Sequence, residues 1–264
     1  MASTQNPAYT MPFFFFDCID RGLKEVFMNI EVCLSPMLFD TRVTKGNHVT
    51  VAVDILRATS VVCAAFSAGV EHIVPLDTLD PLPDYRERGY LLAAERNGVK
   101  LMDATLGNSP TKYLTLDLHG QRVAYSTTNG TVSILCGARA GRCLVGSFAN
   151  ISVLTEALVP EKDVVILCSG WKGDPSIEDT LFAGALIKRL QSLCHDVTLV
   201  NDAAQMSLDL WRIVADDPLR YCQKATHVQR LQRLGFDDDI RWAFMTDTCP
   251  FLIAYDDGKL IRIN

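Results

Sequence analysis

The stretch VVILCSGWKGDPSIEDTLFAGAL, residues 164–186, predicts a buried strand, a turn and a helix in direct succession. Its first five residues are a continuous apolar run, short enough for a strand that is covered on both faces. The turn contains two glycines and a proline, and apolar residues recur at helical spacing from Ile177. Glu178 and Asp179 therefore lie in the first turn of a helix, just beyond a buried strand. In open α/β sheets, ligands bind at this edge.

The same acidic pair has a purely structural interpretation. Ser176 and Asp179 fit a capping box, and carboxylates in a first turn favour the helix dipole. This stretch alone does not separate the two interpretations, so the rest of the chain must decide between them.

The composition is that of a globular protein. Of its 264 residues, 48% are hydrophobic, enough for a large buried core. The formal net charge of −6 argues against a broad nucleic-acid interface, and no apolar run approaches the ~20 residues of a membrane-spanning helix. The nine cysteines are scattered without a C-x-x-C pair, which favours a reducing compartment. We therefore expect a cytoplasmic protein that binds neither nucleic acid nor a membrane, and leave open whether it forms a homo-oligomer.

Strands alternate with helices along most of the chain, which predicts an α/β fold with a mainly parallel sheet sandwiched by helices. From about Asn201 the pattern becomes more helical. The final FLIAYDDGKLIRI predicts a terminal hairpin that turns at Asp257-Gly258. No repeat or linker divides the chain, so we expect a single α/β domain over residues 28–264, with residues 1–27 as an N-terminal extension outside it.

The acidic junction after the quoted strand has counterparts after other predicted strands. The four junctions are residues 54–60, 95–96, 126–131 and 169–179. A parallel sheet would place the ends of these strands along one edge, so we expect the junctions to form one site. Carboxylates there suit Mg²⁺, which binds few of them and keeps several waters. The candidate metal ligands are Asp54, Glu95, Glu178 and Asp179.

The other polar groups at these junctions are suited to anions. Arg57 and Arg96 can each hold a phosphoryl or sulfonate group through two hydrogen bonds. The segment STTNGT at 126–131 presents hydroxyls and backbone N–H groups at a predicted helix N-terminus. Further candidate substrate-binding residues are Thr59, Ser60, Asn108, Ser109, Thr127, Thr128, Asn129, Gly130, Thr131 and Lys172.

Each of these signals also has an ordinary structural explanation. Asp54 could end a strand and pair with Arg57, and Glu95 with Arg96 could form an exposed turn. The segment at 126–131 could be a helix N-cap with a glycine-assisted turn. Only the repetition of such groups at equivalent places favours a functional site.

Other features that look catalytic are expected to be structural. CGARAGR at 136–142 matches the C-x5-R spacing of cysteine phosphatases. The predicted helix ends near Cys136, so thiolate and phosphate would both face the negative end of a helix dipole. We expect the run Asp237–Asp239 to be a solvated helix start. The histidines are expected to be surface or core residues; they are His48, His72, His119, His195 and His227.

Six sequence blocks occur in a specific order. They are VDILRATS (53–60), ERNG (95–98), LGNSP (106–110), TTNGT (127–131), GSFAN (146–150) and SGWKGDPSIEDTLFAG (169–184). This ordered set resembles the motif series of the 2-phosphosulfolactate phosphatases. The resemblance implies a Mg²⁺-dependent phosphatase that hydrolyses 2-phospho-3-sulfolactate to 3-sulfolactate and phosphate, a step toward coenzyme M or related sulfonates.

The strand-end positions and the resemblance together lead us to expect the following roles for the candidate residues. Mg²⁺ would be held by Asp54, Glu95 and either Glu178 or Asp179, and Asp54 is the first candidate for a general base or nucleophile. The phosphate would be held by Arg57 and residues 127–131, and the sulfonate would meet Arg96 or Lys172. The residues expected to act in catalysis are Asp54, Arg57, Glu95 and Glu178.

The chain departs from the family pattern at two places. It has Ala93-Ala94 where the family tends to have glycines, and Val132 where an arginine often follows TTNGT. The second departure bears more on the sulfonate than on the phosphatase chemistry. Two alternatives remain open: a phosphatase, lyase or transferase acting on another small phosphorylated hydroxy acid, and a non-catalytic anion-binding protein.

Overall fold

The computed structural model describes residues 27–39 and 48–263. The extension predicted for residues 1–27 lies outside the described residues except for Phe27, which begins the first strand. Within the described ranges, no helix is long and apolar enough to cross a membrane.

Eleven strands in the described ranges form one mixed sheet. They are β1 (Phe27–Cys33), β2 (Val49–Val53), β3 (His72–Leu76), β4 (Leu91–Arg96), β5 (Val99–Lys100), β6 (Arg122–Ser126), β7 (Arg142–Gly146), β8 (Asp163–Cys168), β9 (Asp196–Leu199), β10 (Leu252–Asp256) and β11 (Lys259–Ile263).

Ten α-helices, counted over the same ranges, accompany the sheet. They are α1 (Ala58–Ser67), α2 (Leu82–Glu87), α3 (Pro110–Tyr113), α4 (Gly130–Ala140), α5 (Ile151–Leu158), α6 (Ile177–Leu193), α7 (Asp202–Val214), α8 (Pro218–Cys222), α9 (Thr226–Arg233) and α10 (Asp237–Ala243). Four of them follow Asn201 in succession, which confirms the more helical C-terminal portion.

The strand order is β5-β4-β6-β3-β11-β10-β7-β2-β8-β1-β9. Parallel pairs join β4, β6 and β3 on one side, and β7, β2, β8, β1 and β9 on the other. The predicted terminal hairpin is present as β10 and β11, and it lies in the middle of the sheet between these two parallel sets. The α/β class and the mostly parallel sheet are thus confirmed.

Because the hairpin lies between the two parallel sets, the direction of the strands does not by itself bring their ends together. Pairing is antiparallel at β3–β11, β11–β10 and β10–β7, so the two parallel sets run in opposite directions along the sheet. The expectation of one shared parallel edge is therefore wrong. The ends of β2 and β6 meet because α4 starts directly after β6 with Gly130 packed on Asp54. A Cβ on Gly130 would lie 2.5 Å from Oδ2 of Asp54, so only glycine fits there.

Helices cover both faces of the sheet at β2. Its residues are all buried, as the apolar sequence VTVAV predicts for a central strand. Val51 and Val53 pack in one apolar cluster with Phe182 of α6. Ala52 packs in a second cluster with Val62 of α1. This alternation confirms that helices lie on both faces of the sheet.

The Glu95-Arg96 pair belongs to a strand and not to a turn. Strand β4 continues through both residues, and β5 pairs with it in a short hairpin. Asn97 and Gly98 form the turn with φ angles of 53° and 75°, the left-handed conformation that Asn-Gly favours in a two-residue hairpin. The Asn-Gly turn is predictable from sequence, whereas the two-residue strand after it is too short to detect.

Helix α4 continues past its predicted end near Cys136 to Ala140. Gly137 does not break it: a Cβ at this position would lie 2.9 Å from Sγ of Cys143 and from Cγ2 of Thr50, so the glycine permits close packing on the sheet. Cys136 lies within the helix, and burial raises the pKa of its thiol. A thiolate in a C-x5-R phosphate loop is therefore not formed here.

Candidate active site

The four predicted junctions converge on one pocket. Each contributes to its lining, and a loop after β5 and helix α9 complete it. The lining residues are Asp54, Leu56, Arg57, Glu95, Asn97, Gly98, Asn108, Thr128, Asn129, Trp171, Lys172, His227, Arg230 and Leu231.

Asp54 is buried at the inner end of this pocket. Thr59 holds its backbone, since the threonine hydroxyl donates to the Asp54 carbonyl at 2.8 Å and accepts from its amide at 3.0 Å. The pKa of the Asp54 carboxyl is raised from 3.8 to about 7, mainly by burial and in smaller part by the charges of Glu95 and Glu178. His227 and the Ala58 amide oppose that shift. Asp54 thus lies in a site that disfavours negative charge until a cation is present.

Asp179 connects the ends of β2 and β8. Its Oδ1 accepts from the Ile55 amide at 2.8 Å, and its Oδ2 accepts from the Gly170 amide at 3.0 Å. Burial, together with the charges of Asp54 and Glu178, raises the pKa of the Asp179 carboxyl well above its usual range. Because both oxygens already accept backbone hydrogen bonds, Asp179 is suited to positioning the two junctions.

Glu178 lies just behind the pocket with one oxygen unsatisfied. Its Oε1 is 2.9 Å from Nδ1 of His227, whose ring stacks on Trp171 with centroids 5.2 Å apart. Its Oε2 is buried and has no hydrogen-bond partner among the residues that the structure describes. Glu178 is near enough to Asp54 to affect the pKa of that carboxyl. A buried oxygen of this kind costs stability unless a ligand or an ion meets it.

Glu95 uses both carboxylate oxygens to hold neighbouring backbone. Its Oε1 accepts from the amide and the hydroxyl of Thr128, each at 2.9 Å, and its Oε2 accepts from the Gly98 amide at 2.5 Å. Glu95 therefore fixes the hairpin turn against the start of α4. Its charge adds to the negative potential at Asp54.

Arg57 is committed to a buried ion pair. Its guanidinium donates to Oδ2 of Asp239 at 3.0 Å and to the Gly98 carbonyl at 3.0 Å, and it lies 3.9 Å from the centroid of the Phe236 ring. Asp239 also accepts from Ser109 at 2.8 Å and from Thr111. The prediction that Asp237–Asp239 is a solvated helix start is wrong for Asp239, because packing of α10 against α3 buries it.

Several predicted substrate-binding residues support the backbone and do not line the pocket. Thr127 and Thr131 bond each other reciprocally at the start of α4. Arg96 donates to the Glu95 carbonyl at 2.7 Å and to Ser126 at 3.0 Å. The candidates outside the lining are Thr59, Ser60, Arg96, Ser109, Thr127, Gly130 and Thr131.

Sequence reasoning missed the contribution of α9. His227, Arg230 and Leu231 stand at positions i, i+3 and i+4 of this helix and all face the pocket. The expectation that His227 is an ordinary surface or core residue is wrong. The only available signal was an amphipathic helix, which is far commoner as a structural feature than as a site.

The residue chemistry of the site is compatible with Mg²⁺ bound by two carboxylates. Among the described residues, no three His, Cys, Asp or Glu side chains are grouped closely enough to form a ready metal cage. Mg²⁺ does not require one, because it commonly binds one or two carboxylates and completes its octahedron with waters and substrate phosphate. Asp54, which lines the pocket, and Glu178, whose Oε2 has no partner among the described residues, are the two carboxylates with the chemistry that such an ion requires.

The family model and the similar proteins found for this chain all carry the same name. Residues 33–258 match the family model for 2-phosphosulpholactate phosphatase. A Thermotoga maritima protein named probable 2-phosphosulfolactate phosphatase is 32% identical over 211 residues, covering 80% of this chain and 90% of that protein. Proteins of the same name from Parasynechococcus marenigrum and Clostridium beijerinckii are 37% and 28% identical. The first match covers 72% of this chain and 82% of its relative, and the second covers 88% and 99%.

Proposed function

The chain belongs to the 2-phosphosulfolactate phosphatase family, and we propose that it hydrolyses 2-phospho-3-sulfolactate to 3-sulfolactate and phosphate with Mg²⁺ in the pocket around Asp54. The observation that carries the proposal is the unpartnered buried Oε2 of Glu178, whose carboxylate is near enough to the buried carboxyl of Asp54 to raise its pKa. Two such acids without a cation are unfavourable, and a divalent ion would satisfy both.

Asp54 and Glu178 would hold the metal ion. Mg²⁺ supplies positive charge that offsets the negative charge developing on the phosphoryl group. Asp179 keeps the ends of β2 and β8 together, and His227 holds Oε1 of Glu178, so that Oε2 is the oxygen left for the ion. The protein therefore presents the metal ligands in fixed orientations before the substrate binds.

The other lining residues would orient the phosphate. Asn129 stands at the N-terminus of α4, where the helix dipole favours an anion. Asn108 is held by the Tyr125 hydroxyl, which donates to its Oδ1 at 2.5 Å, and this leaves the amide N–H groups as donors. Arg57 is held in position by its ion pair with Asp239, and the guanidinium N–H groups that this pair leaves free would donate to the phosphate. These contacts would place the ester in line for attack, which is the main contribution of protein groups to phosphoryl transfer.

The direct experiment is a phosphate-release assay on 2-phospho-3-sulfolactate with the full chain. We expect release in Mg²⁺ and loss of release in EDTA, with recovery when Mg²⁺ is added back. Phospholactate and phosphoglycolate serve as comparison substrates, because both carry the phosphate and carboxylate without the sulfonate.

The alternatives give different results in the same assay. An anion-binding protein would bind the ester without releasing phosphate, and a lyase would yield a carbon–carbon cleavage product. A transferase would need a second substrate. Release that is unaffected by the chelator would contradict the role given to Mg²⁺.

A further inference from the structure

The outer part of the pocket contains two cations that have no acidic partner among the described residues. Arg230 is half-buried and Lys172 is exposed, and both line the pocket whose inner end is formed by buried Asp54. In the part of the chain that the structure describes, neither cation lies within 4 Å of a carboxylate, whereas Arg57 is neutralised by Asp239. Unpaired cations facing a pocket favour an anionic ligand.

The hairpin turn after β4 holds Arg230 in place. Arg230 donates to the carbonyl of Asn97, and Arg57 donates to the next carbonyl along the chain, that of Gly98. A Cβ on Gly98 would lie 3.0 Å from Nη1 of Arg230, so the glycine also allows the guanidinium to approach closely. Since a guanidinium has five N–H donors, the bond to Asn97 leaves several for a ligand.

Lys172 lines the pocket from the junction that follows β8. Its backbone is left-handed, with φ of 57°, and its ammonium lies 4.8 Å from the centroid of the Trp171 ring. Trp171 in turn stacks on His227, three residues before Arg230 on α9. Lys172 and Arg230 therefore both lie against packed neighbours. Lys172 belongs to the junction after β8, and Arg230 belongs to α9.

The chemistry of the proposed substrate fits this arrangement. In 2-phospho-3-sulfolactate the carboxylate is on the carbon that bears the phosphate ester, so it stays near the phosphate. The sulfonate is one carbon further away and can reach outward from the metal-binding end. Its three equivalent oxygens can accept from donors in several directions, whereas a planar carboxylate suits a single bidentate arginine.

We propose that Arg230, together with Lys172, forms a second anion subsite that binds the sulfonate of the substrate. This inference rests on the proposed function, because it assumes that the phosphate binds at the Asp54 end. It assigns Arg230 as a specificity-determining residue that distinguishes a sulfonated phosphate ester from its unsulfonated analogue.

The test measures kcat/KM of wild type and Arg230→Gln on 2-phospho-3-sulfolactate and on 2-phospholactate, which carries a methyl group in place of the sulfomethyl group. We expect a fall of roughly 10- to 100-fold on the sulfonated ester, the usual effect of a lost charge-assisted hydrogen bond. On phospholactate we expect a fall of only about threefold or less. Since the ratio of the two values does not depend on the fraction of folded enzyme, partial misfolding of the variant cannot mimic this result.

Two further variants sharpen the test. Arg233→Gln removes the same charge from an exposed position of α9 and should change neither value. Arg230→Lys keeps the charge and should recover part of the preference. An equal loss on both substrates, or no loss on either, would overturn the sulfonate subsite while wild-type activity supports the phosphatase. Absence of phosphate release by the wild type would instead overturn the proposed function, and the subsite with it.

Discussion

The two sides of the pocket are built in different ways. The inner side is lined by Asp54 and Glu95 at the ends of strands, and Glu178 and Asp179 at the start of a helix lie behind it. The outer side is formed mainly by groups of α9, among them His227 and Arg230, and Asp239 of α10 supports it from behind through Arg57. The inner side can be found in the sequence from its strand–turn–helix pattern, whereas the outer side has no such pattern.

Contacts between the two sides fix the positions of charged groups. His227 binds Oε1 of Glu178, and Asp239 pairs with Arg57, so α9 and α10 hold charged groups of the strand-end junctions in position. The helical C-terminal portion therefore has more than a covering role. It decides which oxygen of Glu178 remains available and how Arg57 is oriented.

The largest effect should come from the inner side. We expect Asp54→Asn to lower kcat/KM for phosphate release by roughly 10³-fold or more, because it removes a charged metal ligand. Asp77 directly follows β3 as Asp54 follows β2, but it is exposed, so Asp77→Asn is the matched control and should leave activity unchanged. Near wild-type kinetics for Asp54→Asn would remove the inner side from the reaction.

The next prediction concerns the buried Arg57–Asp239 pair and its contribution to the free energy of unfolding. Asp239→Ala should lower the free energy of unfolding by about 3–5 kcal/mol, because it leaves Arg57 charged and buried without its partner. Chemical denaturation measures this change, and replacing both Arg57 and Asp239 by apolar residues should recover part of the loss. Asp238→Ala, at an exposed position of the same helix, should have almost no effect. If the Asp238 and Asp239 variants are equally stable, the buried pair has no structural role.

A third prediction concerns the charge of Asp54 and is measured as the pH dependence of stability, independently of catalysis. The pKa of its carboxyl is about 7 in the folded state against an ordinary value of 3.8, so between these pH values the folded protein binds more protons than the unfolded chain. Stability of the metal-free protein should therefore fall as pH rises from 4 to 7, by up to about 4 kcal/mol from this group.

Asp54→Asn cannot ionise, so it should be more stable than the wild type at pH 8 and about equal to it at pH 4. Thermal denaturation in EDTA at the two pH values measures the difference. A wild type that is as stable as Asp54→Asn at pH 8 would contradict the raised pKa.

The smallest effect tests the contact between the two sides. His227→Ala should weaken binding of Mn²⁺, used as a probe for Mg²⁺, by roughly 10- to 100-fold, because Glu178 loses the group that orients it. An electron paramagnetic resonance titration of the metal-free protein measures this affinity without any substrate. Gln229→Ala changes an exposed residue of α9 and should have the affinity of the wild type. Equal affinities for all three proteins would show that α9 does not position Glu178.

Most of the fold follows from local sequence. The apolar runs of β2 and β8, the start of α6 and the Asn-Gly turn after β4 are determined by residues within a few positions of one another. The insertion of the terminal hairpin at the centre of the sheet was not predictable, because edge and central positions depend on which strands it pairs with. The same limit applies to Thr59 and Thr131, whose hydroxyls hold backbone groups that no sequence pattern identifies.

The sequence by itself determined the α/β class, the acids at the strand ends and the ordered motifs of the family. Only the tertiary structure decided which of these groups line the pocket, that α9 completes it, and that α10 holds Arg57 in place. The physical reason is the range of the interactions involved. Periodicity and turn chemistry act over a few residues, whereas Glu178 and His227 are 49 positions apart and Arg57 and Asp239 are 182 apart, so packing alone brings them together.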